Sequence, residues 1–241
     1  MKNLKYFTVI FLSLAITACI NGQFRKVVRG DGNVVKKERP AGSFSKVKVS
    51  TGIDVYLTQG DKPSITVEAD ENLHEYIITE IRDDELYVRH ENDINVREAE
   101  RERVYVTMKD IKSLSTTSAG DIIGETPVRT DNLELDASSA GDIKIEVYAK
   151  QIKLDASSSG DITLDGETDM LEADLSSAGD LNAYNLKTRE ADISVSSAGD
   201  ADVFVTEKLT ARASSAGDVN YKGDPKYIDT HASSAGGIHK K

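Results

Sequence analysis

From Leu133 onward apolar and polar residues alternate, and short glycine phrases interrupt the alternation at nearly even intervals. Leu133, Leu135 and Ala137 alternate into Gly141, and Ile143 and Ile145 alternate out of it. One turn later Ile152, Leu154 and Ala156 precede Gly160, and Ile162 and Leu164 follow. Period two places these residues on one face of a strand, while Glu134, Asp136, Lys144, Lys153, Asp155 and Thr163 point the other way. The interruption reads Ser-Ala-Gly-Asp or a close variant. Its glycines are Gly120, Gly141, Gly160, Gly179, Gly199, Gly217 and Gly236, giving steps of 21, 19, 19, 20, 18 and 19 residues. One such turn has nothing to bury its apolar face against, whereas stacked turns share a narrow continuous core. The pattern therefore predicts an all-β protein, a right-handed parallel β-helix-like solenoid with about 19–21 residues per coil. Seven corners at about 4.8 Å each extend roughly 34 Å.

The corner phrase carries its own expectations. Glycine supplies a positive φ without a Cβ clash, and a small residue before it lets identical corners stack. Serine hydroxyls bond the backbone or the serine one coil away. Aspartate accepts from a turn N–H. The last unit has Gly237 in place of aspartate and ends in Ile238-His239-Lys240-Lys241, which reads as a C-terminal cap.

Ahead of the repeats the pattern is less regular. Phe44, Val47 and Val49, then Ile53, Val55 and Leu57, then Ile65 and Val67 mark short strands separated by Gly and Pro turns. Asn72-Leu73 marks a short helical turn. Ile77–Ile81, Leu86–Val88 and Val104–Val106 complete the set, and the charged run from Arg97 to Arg103 reads as a solvated loop. Residues 43–115 thus form an N-terminal strand region, and whether they are further coils or a separate sheet stays open. Residues 116–241 form the repeat solenoid.

The first residues change the picture of address. Lys2 and Lys5 precede a mostly apolar run from Tyr6 to Ala18, too short to span a bilayer as a helix and laid out like an export signal. It ends in Ile16-Thr17-Ala18-Cys19, which resembles a bacterial lipobox, so residues 1–18 read as a lipoprotein signal peptide and Cys19 as the lipidated residue. Cys19 is the only cysteine and forms no internal disulfide. Residues 19–42, polar with Gly30, Gly32 and Pro40, read as a tether lifting the domain off the membrane. The net charge of −11 opposes nucleic-acid binding, which leaves the membrane, through the lipid, and an envelope protein or glycan as expected partners.

Candidate chemistry concentrates in the repeats. Asp121, Asp142, Asp161, Asp180, Asp200 and Asp218 fall in one file, where neighbours repel by about 1 kcal/mol in water. Local hydrogen bonds and water offset this in a structural reading, and a row of Ca²⁺ ions does so in a metal reading. No other cofactor is implied. The histidines His74, His90, His231 and His239 show no metal-ligand spacing, and no Gly-x-Ser-x-Gly elbow appears. The acids repeat in every coil, so none stands out as a general acid and no catalytic residue is assigned. Tyr184 and Phe204 lie five residues after their glycines and turn outward, as a small stacking platform for a sugar.

Phe44-Ser45-Lys46-Val47-Lys48-Val49, then Gly52-Ile53-Asp54-Val55-Tyr56-Leu57-Thr58-Gln59-Gly60, then Ile65 to Leu73 resemble the opening of the putative auto-transporter adhesin head domain, or GIN domain. Its later half carries serial Ser-x-Gly corners, matched here from Gly120 to Gly236. The resemblance implies an all-β head on secreted or lipid-anchored envelope proteins, without established enzyme activity and without site residues to carry over. Acidic residues, which in such proteins tend to follow the lipidated cysteine of surface-exported members, are missing from Ile20 to Lys26, which favours an outer-membrane lipoprotein on the periplasmic face. The expected function is a non-catalytic, lipid-anchored scaffold for binding or adhesion. A carbohydrate-active β-helix enzyme and a calcium-dependent structural module are the alternatives.

Overall fold

The computed structural model describes residues 26–241, so the signal segment and Cys19 lie outside the described residues. Five long strands make the body: β12 (Val128–Ser138), β13 (Ile143–Ser157), β14 (Asp161–Ser176), β15 (Asp180–Val195) and β16 (Asp200–Ala213). Successive strands pair in parallel, with Asp161 opposite Asp180 and Leu175 opposite Val195. Residues about nineteen apart are therefore neighbours, so each strand must fold back midway. The body is a two-faced solenoid.

The fold-back marks a second corner that the glycine spacing does not reveal. Gly166 adopts φ 116° there, and an added Cβ would run into the Val147 carbonyl. Threonines hold the turn with their own hydroxyls: Thr168 Oγ1 donates to the Met170 carbonyl at 3.2 Å and Thr188 Oγ1 to that of Leu186 at 3.3 Å. Both threonines are buried. Pairing shifts register around this turn in two of the coils.

Inside, the alternation becomes rows of stacked side chains. Ile143, Ile162, Leu181, Ala201 and Val219 form one row, and Ala156, Leu175, Val195 and Ala213 another, all buried. Large and small residues share a row, which is how a narrow core fills without forcing coils apart.

The strand region before the repeats continues the pile. Strands β3 (Lys46–Val49) and β4 (Asp54–Gln59) pair in parallel with β10 (Ser113–Thr117) and β11 (Ile122–Gly124). Below them, out of chain order, lie β7 (Glu85–His90) against β3 and β9 (Glu102–Met108) against β4. Antiparallel strands close this end: β5 (Ser64–Asp70) on β9, β2 (Val34–Arg39) on β5, and β6 (Ile77–Arg82) on β7. A 3₁₀ turn at Glu71–Leu73 follows β5. Residues 44–115 thus supply two further coils and the base that covers them.

Half of the expected tether is folded. Strand β1 (Lys26–Arg29) pairs in parallel with β8 (Ile94–Arg97), and β2 is an edge of the main sheet. The reason is Asp70, a fully buried carboxylate that accepts from the Gly32 N–H at 2.5 Å and the Glu100 N–H at 2.8 Å. It fastens the incoming chain and the 98–101 loop to one point. That charged loop is correspondingly less solvated than its composition suggests: Arg101 reaches buried Glu68 at 3.4 Å, and Glu102 meets buried His90 at 2.6 Å.

At the far end, β17 (Asp218–Lys222) and β18 (Tyr227–Ala232) add one more coil on β16, and β19 (Gly237–Lys240) adds a further rung on β17. Ile228 occupies an inward position opposite buried Leu209, yet it is 51% exposed. The last residues extend the pile, and no described residue folds over its edge.

Candidate functional site

The glycine corners do stack, but glycine is there for a different reason from the one the phrase suggests. Positive φ falls on the two residues before it: Ser177 at 53° and Ala178 at 59°, and likewise in all seven repeats. The glycine itself is absent from the positive-φ set. What it cannot carry is a Cβ, which at Gly179 would sit 2.5 Å from the Ala156 carbonyl carbon and oxygen of the neighbouring coil. At Gly160 the corresponding approach, to Ala137, is 2.6 Å. Close approach of backbones selects glycine, and two left-handed non-glycine residues per corner are held in place by the stacking. Backbone bonds do this: Gly179 N–H donates to the Ser176 carbonyl at 3.0 Å, and Ala178 N–H to that of Ser197 at 3.1 Å. The expected serine ladder does not form. Among the described residues of the seven glycine corners, the hydroxyl seen bonded to protein is that of Thr116, to the Gly120 carbonyl.

An eighth corner precedes the seven. Thr51 and Gly52 take the paired positive φ values, 71° and 75°, with Ile53 where the others have glycine and Asp54 in the aspartate position. Because Ile122 pairs with Val55, Asp54 adjoins Asp121 and lengthens the aspartate file to seven residues, and Asp54 is itself paired with Arg103.

Within that file the carboxylates serve the next coil. Asp142 N–H donates to Asp121 Oδ1 and Asp161 N–H to Asp142 Oδ1, each at 3.2 Å, and Asp200 N–H to Asp180 Oδ1 at 2.9 Å. One oxygen of each of these carboxylates is therefore already engaged, which favours the structural account of the file over the calcium one. Partial burial, reinforced by neighbouring carboxylates, raises Asp54, Asp121, Asp161 and Asp200 above the ordinary aspartate range. No group of three or more His, Cys, Asp or Glu among the described residues is arranged to hold a metal ion.

Tyr184 and Phe204 follow the paired residues Ala183 and Val203, after which the register shifts and Phe204 pairs with Lys187. Tyr184 is left in the bulge, and its ring is covered by the Lys222 ammonium 3.9 Å from the centroid. Both rings are half-buried, Tyr184 has one face occupied, and the register does not pair the two residues. Tyr56 and Tyr105 do stack, with centroids 5.3 Å apart, and Lys36 caps Tyr105 at 4.6 Å. Its hydroxyl donates to Glu68 Oε2 at 2.7 Å. These tyrosines lie 49 residues apart in sequence, and only the non-sequential pairing of β4 with β9 brings them together.

A trough of about 550 Å³ runs beside the corner ridge on one flank. Its walls are Ser157, Ser176, Ser196, Ser214 and Ser233 on the corner side and Asp155, Asp174, Ser194, Arg212 and His231 on the other. The latter group is a single register file, acidic at its base-side end and basic at the other. Burial, and then Asp174 and Asp136, raise the Asp155 pKa, while Arg212 reaches Asp192 at 3.4 Å. Polar side chains from five coils thus line one open channel. Nothing in the spacing of single residues announces it, because it arises only from the register between coils.

A family model described as putative auto-transporter adhesin, head GIN domain, matches residues 43–225. The chain belongs to this family. A crystal structure of a putative adhesin from Bacteroides fragilis superposes with a TM-score of 0.82 at 20% identity, covering 89% of this chain and 100% of that one. A putative lipid binding protein from Parabacteroides distasonis gives 0.74 at 23%, covering 90% and 100%. A putative adhesin from Parabacteroides merdae gives 0.67 at 20%, covering 89% and 99%. No curated protein matches the sequence. At these identities the structural likeness speaks for the fold, and the GIN family match extends from just before β3 into the loop after β17.

Proposed function

We propose that this GIN domain is a non-catalytic binding scaffold of the cell envelope, held there by a lipid on Cys19. It presents the trough beside its corner ridge to an extended polar partner, a glycan or an envelope protein. The supporting observation is the trough itself, whose polar walls come from successive coils of a rigid pile. Its volume lies within the range of ligand sites, and it is open along its length, with Ala156, Leu175, Val195 and Ala213 between the polar walls. Membership in a family of adhesin heads agrees with a binding role in the envelope. The repetition of one acid per corner, rather than a convergence of unlike groups, speaks against catalysis.

The test combines a glycan array with recovery of partners from native envelopes, using wild type and two trough variants, Arg212→Ala and Ser196→Trp. Loss of the same ligand in both variants, with unchanged unfolding temperature, is the expected result. Binding untouched by both variants refutes the trough as the site, and steady product release from polyuronates refutes the non-catalytic reading.

A further inference from the structure

We infer that the solenoid stands with its base against the bilayer and its last coil pointing away, a conclusion that rests on the lipid-anchor reading of Cys19. Two independent observations lead there.

The first is length. Strand β1 starts at Lys26, so only residues 20–25 separate it from Cys19. Seven steps of chain, fully extended, span at most about 25 Å. The strand that receives this short lead is at the base: among the described residues β1 pairs only with β8, which sits in the connection between β7 and β9, the lowest coil. Arg29 joins Glu98 at 2.8 Å, Asn72 Nδ2 donates to the Arg29 carbonyl at 2.7 Å, and Gly32 is fastened to Asp70. The tether therefore leaves no slack after Lys26, and the base cannot move farther from the anchor than those few residues reach.

The second is charge. Residues 113–241, the repeat body, contain twelve Lys and Arg against twenty-three Asp and Glu, a net of −11. Residues 26–112, the base and first coils, contain fifteen against eighteen, a net of −3. A body laid flat on an anionic headgroup layer would bring its most acidic surface within a Debye length of like charge. Standing on the base avoids that repulsion. Val27, an apolar residue 53% exposed on β1, and Lys26 beside it face outward at this end.

The consequence is an address for the binding surface. From β7 to β18 there are eight rung steps, about 38 Å. Tyr227, 71% exposed on β18, then lies with β19 at the end held away from the membrane, and the trough rises along the axis between the two ends.

Single-cysteine variants of the mature lipoprotein test this, because Cys19 is the only native cysteine and its sulfur is consumed by the lipid. Val27→Cys and Tyr227→Cys are labelled with one fluorophore and reconstituted in phosphatidylethanolamine–phosphatidylglycerol vesicles carrying headgroup-labelled acceptor in the outer leaflet. Energy transfer from position 27 should exceed that from position 227 by about fivefold or more, given the separation of the two ends. Equal transfer, or more from position 227, overturns the orientation while leaving the anchor intact, provided mass spectrometry of the N-terminal peptide shows acylated Cys19. An unacylated Cys19 with protein released from the vesicles overturns the anchor and the orientation together.

Discussion

A single corner offers two substitutions that should act in opposite directions. Gly179→Ala adds a Cβ 2.5 Å from the carbonyl carbon and oxygen of Ala156 and 2.6 Å from the Ser157 nitrogen. Ordinary contact requires about 1 Å more. Backbone atoms have no rotamer with which to yield, so the two coils must part where their ladder holds them about 4.8 Å apart. Overpacking of this kind costs about 3 kcal/mol, which for a domain of this size lowers Tm by about 6–12 °C. Ala178→Gly, one residue earlier, replaces a residue at φ 59° with the one that occupies that region freely. It should stabilise by about 0.5–1 kcal/mol, or about 1–4 °C. Thermal and urea unfolding followed by circular dichroism read both. A wild-type Tm for Gly179→Ala, or a loss with Ala178→Gly equal to that of Gly179→Ala, refutes the assignment of glycine to close approach.

Other expectations follow from the same geometry. Because Asp54, Asp121, Asp161 and Asp200 are raised by burial, the folded state holds more protons than the unfolded one between the ordinary aspartate value and the raised one. The file's contribution is thus present in acid and lost as pH climbs through that window. Asp121→Asn, which keeps the acceptor for the Asp142 N–H, should therefore raise Tm at pH 7 and have little effect near pH 3. His74, lowered chiefly by burial, works the other way: its contribution is present above pH 6.5 and lost as pH falls below, so His74→Gln should flatten that limb of a Tm–pH curve. Asp70→Ala removes the buried carboxylate that accepts from the Gly32 and Glu100 N–H groups, at a cost of about 3 kcal/mol. Hydrogen exchange should then accelerate in β1, β2 and residues 98–101 while the repeats stay protected. Millimolar calcium against chelator should leave Tm unchanged, since backbone N–H groups already engage Asp121, Asp142 and Asp180. A rise of several degrees would favour the ion row instead.

How far the sequence discloses this molecule depends on whether a feature repeats locally. Gly120 to Gly236 give the pile, its period and the file of aspartates, because each corner repeats the same phrase. The corner at Thr51-Gly52 escapes notice because its glycine has moved one place and Ile53 stands in the usual position, although Asp54 marks the same column. The coil made by β7 and β9 has no glycine phrase, its corner being the long excursion from Glu91 to Arg101, and its place below β3 and β4 reverses chain order. No local period encodes a reversal. The strand character of residues 26–39 is hidden by Lys36 and Lys37, charged because β2 is an edge strand with one side open to water, and by Arg39, whose guanidinium donates to the His74 carbonyl. Side-chain meetings across coils, such as Lys222 on Tyr184 or Asp155 beside Asp174, depend on register, which bulges alter.

The stacking of successive corners is tested most directly by disulfide trapping along the aspartate file, in a chain whose Cys19 is replaced by serine. Asp161 and Asp180 are directly opposed on adjacent coils, whereas Asp161 and Asp200 are two rungs apart, about 10 Å. A disulfide needs Cα atoms within about 7 Å. Under mild oxidation Asp161→Cys/Asp180→Cys should close an intramolecular bridge in nearly every molecule, and Asp161→Cys/Asp200→Cys should not. Equal yields from the two pairs, or a preference for the second, would contradict a solenoid in which each coil lies in register on the one before.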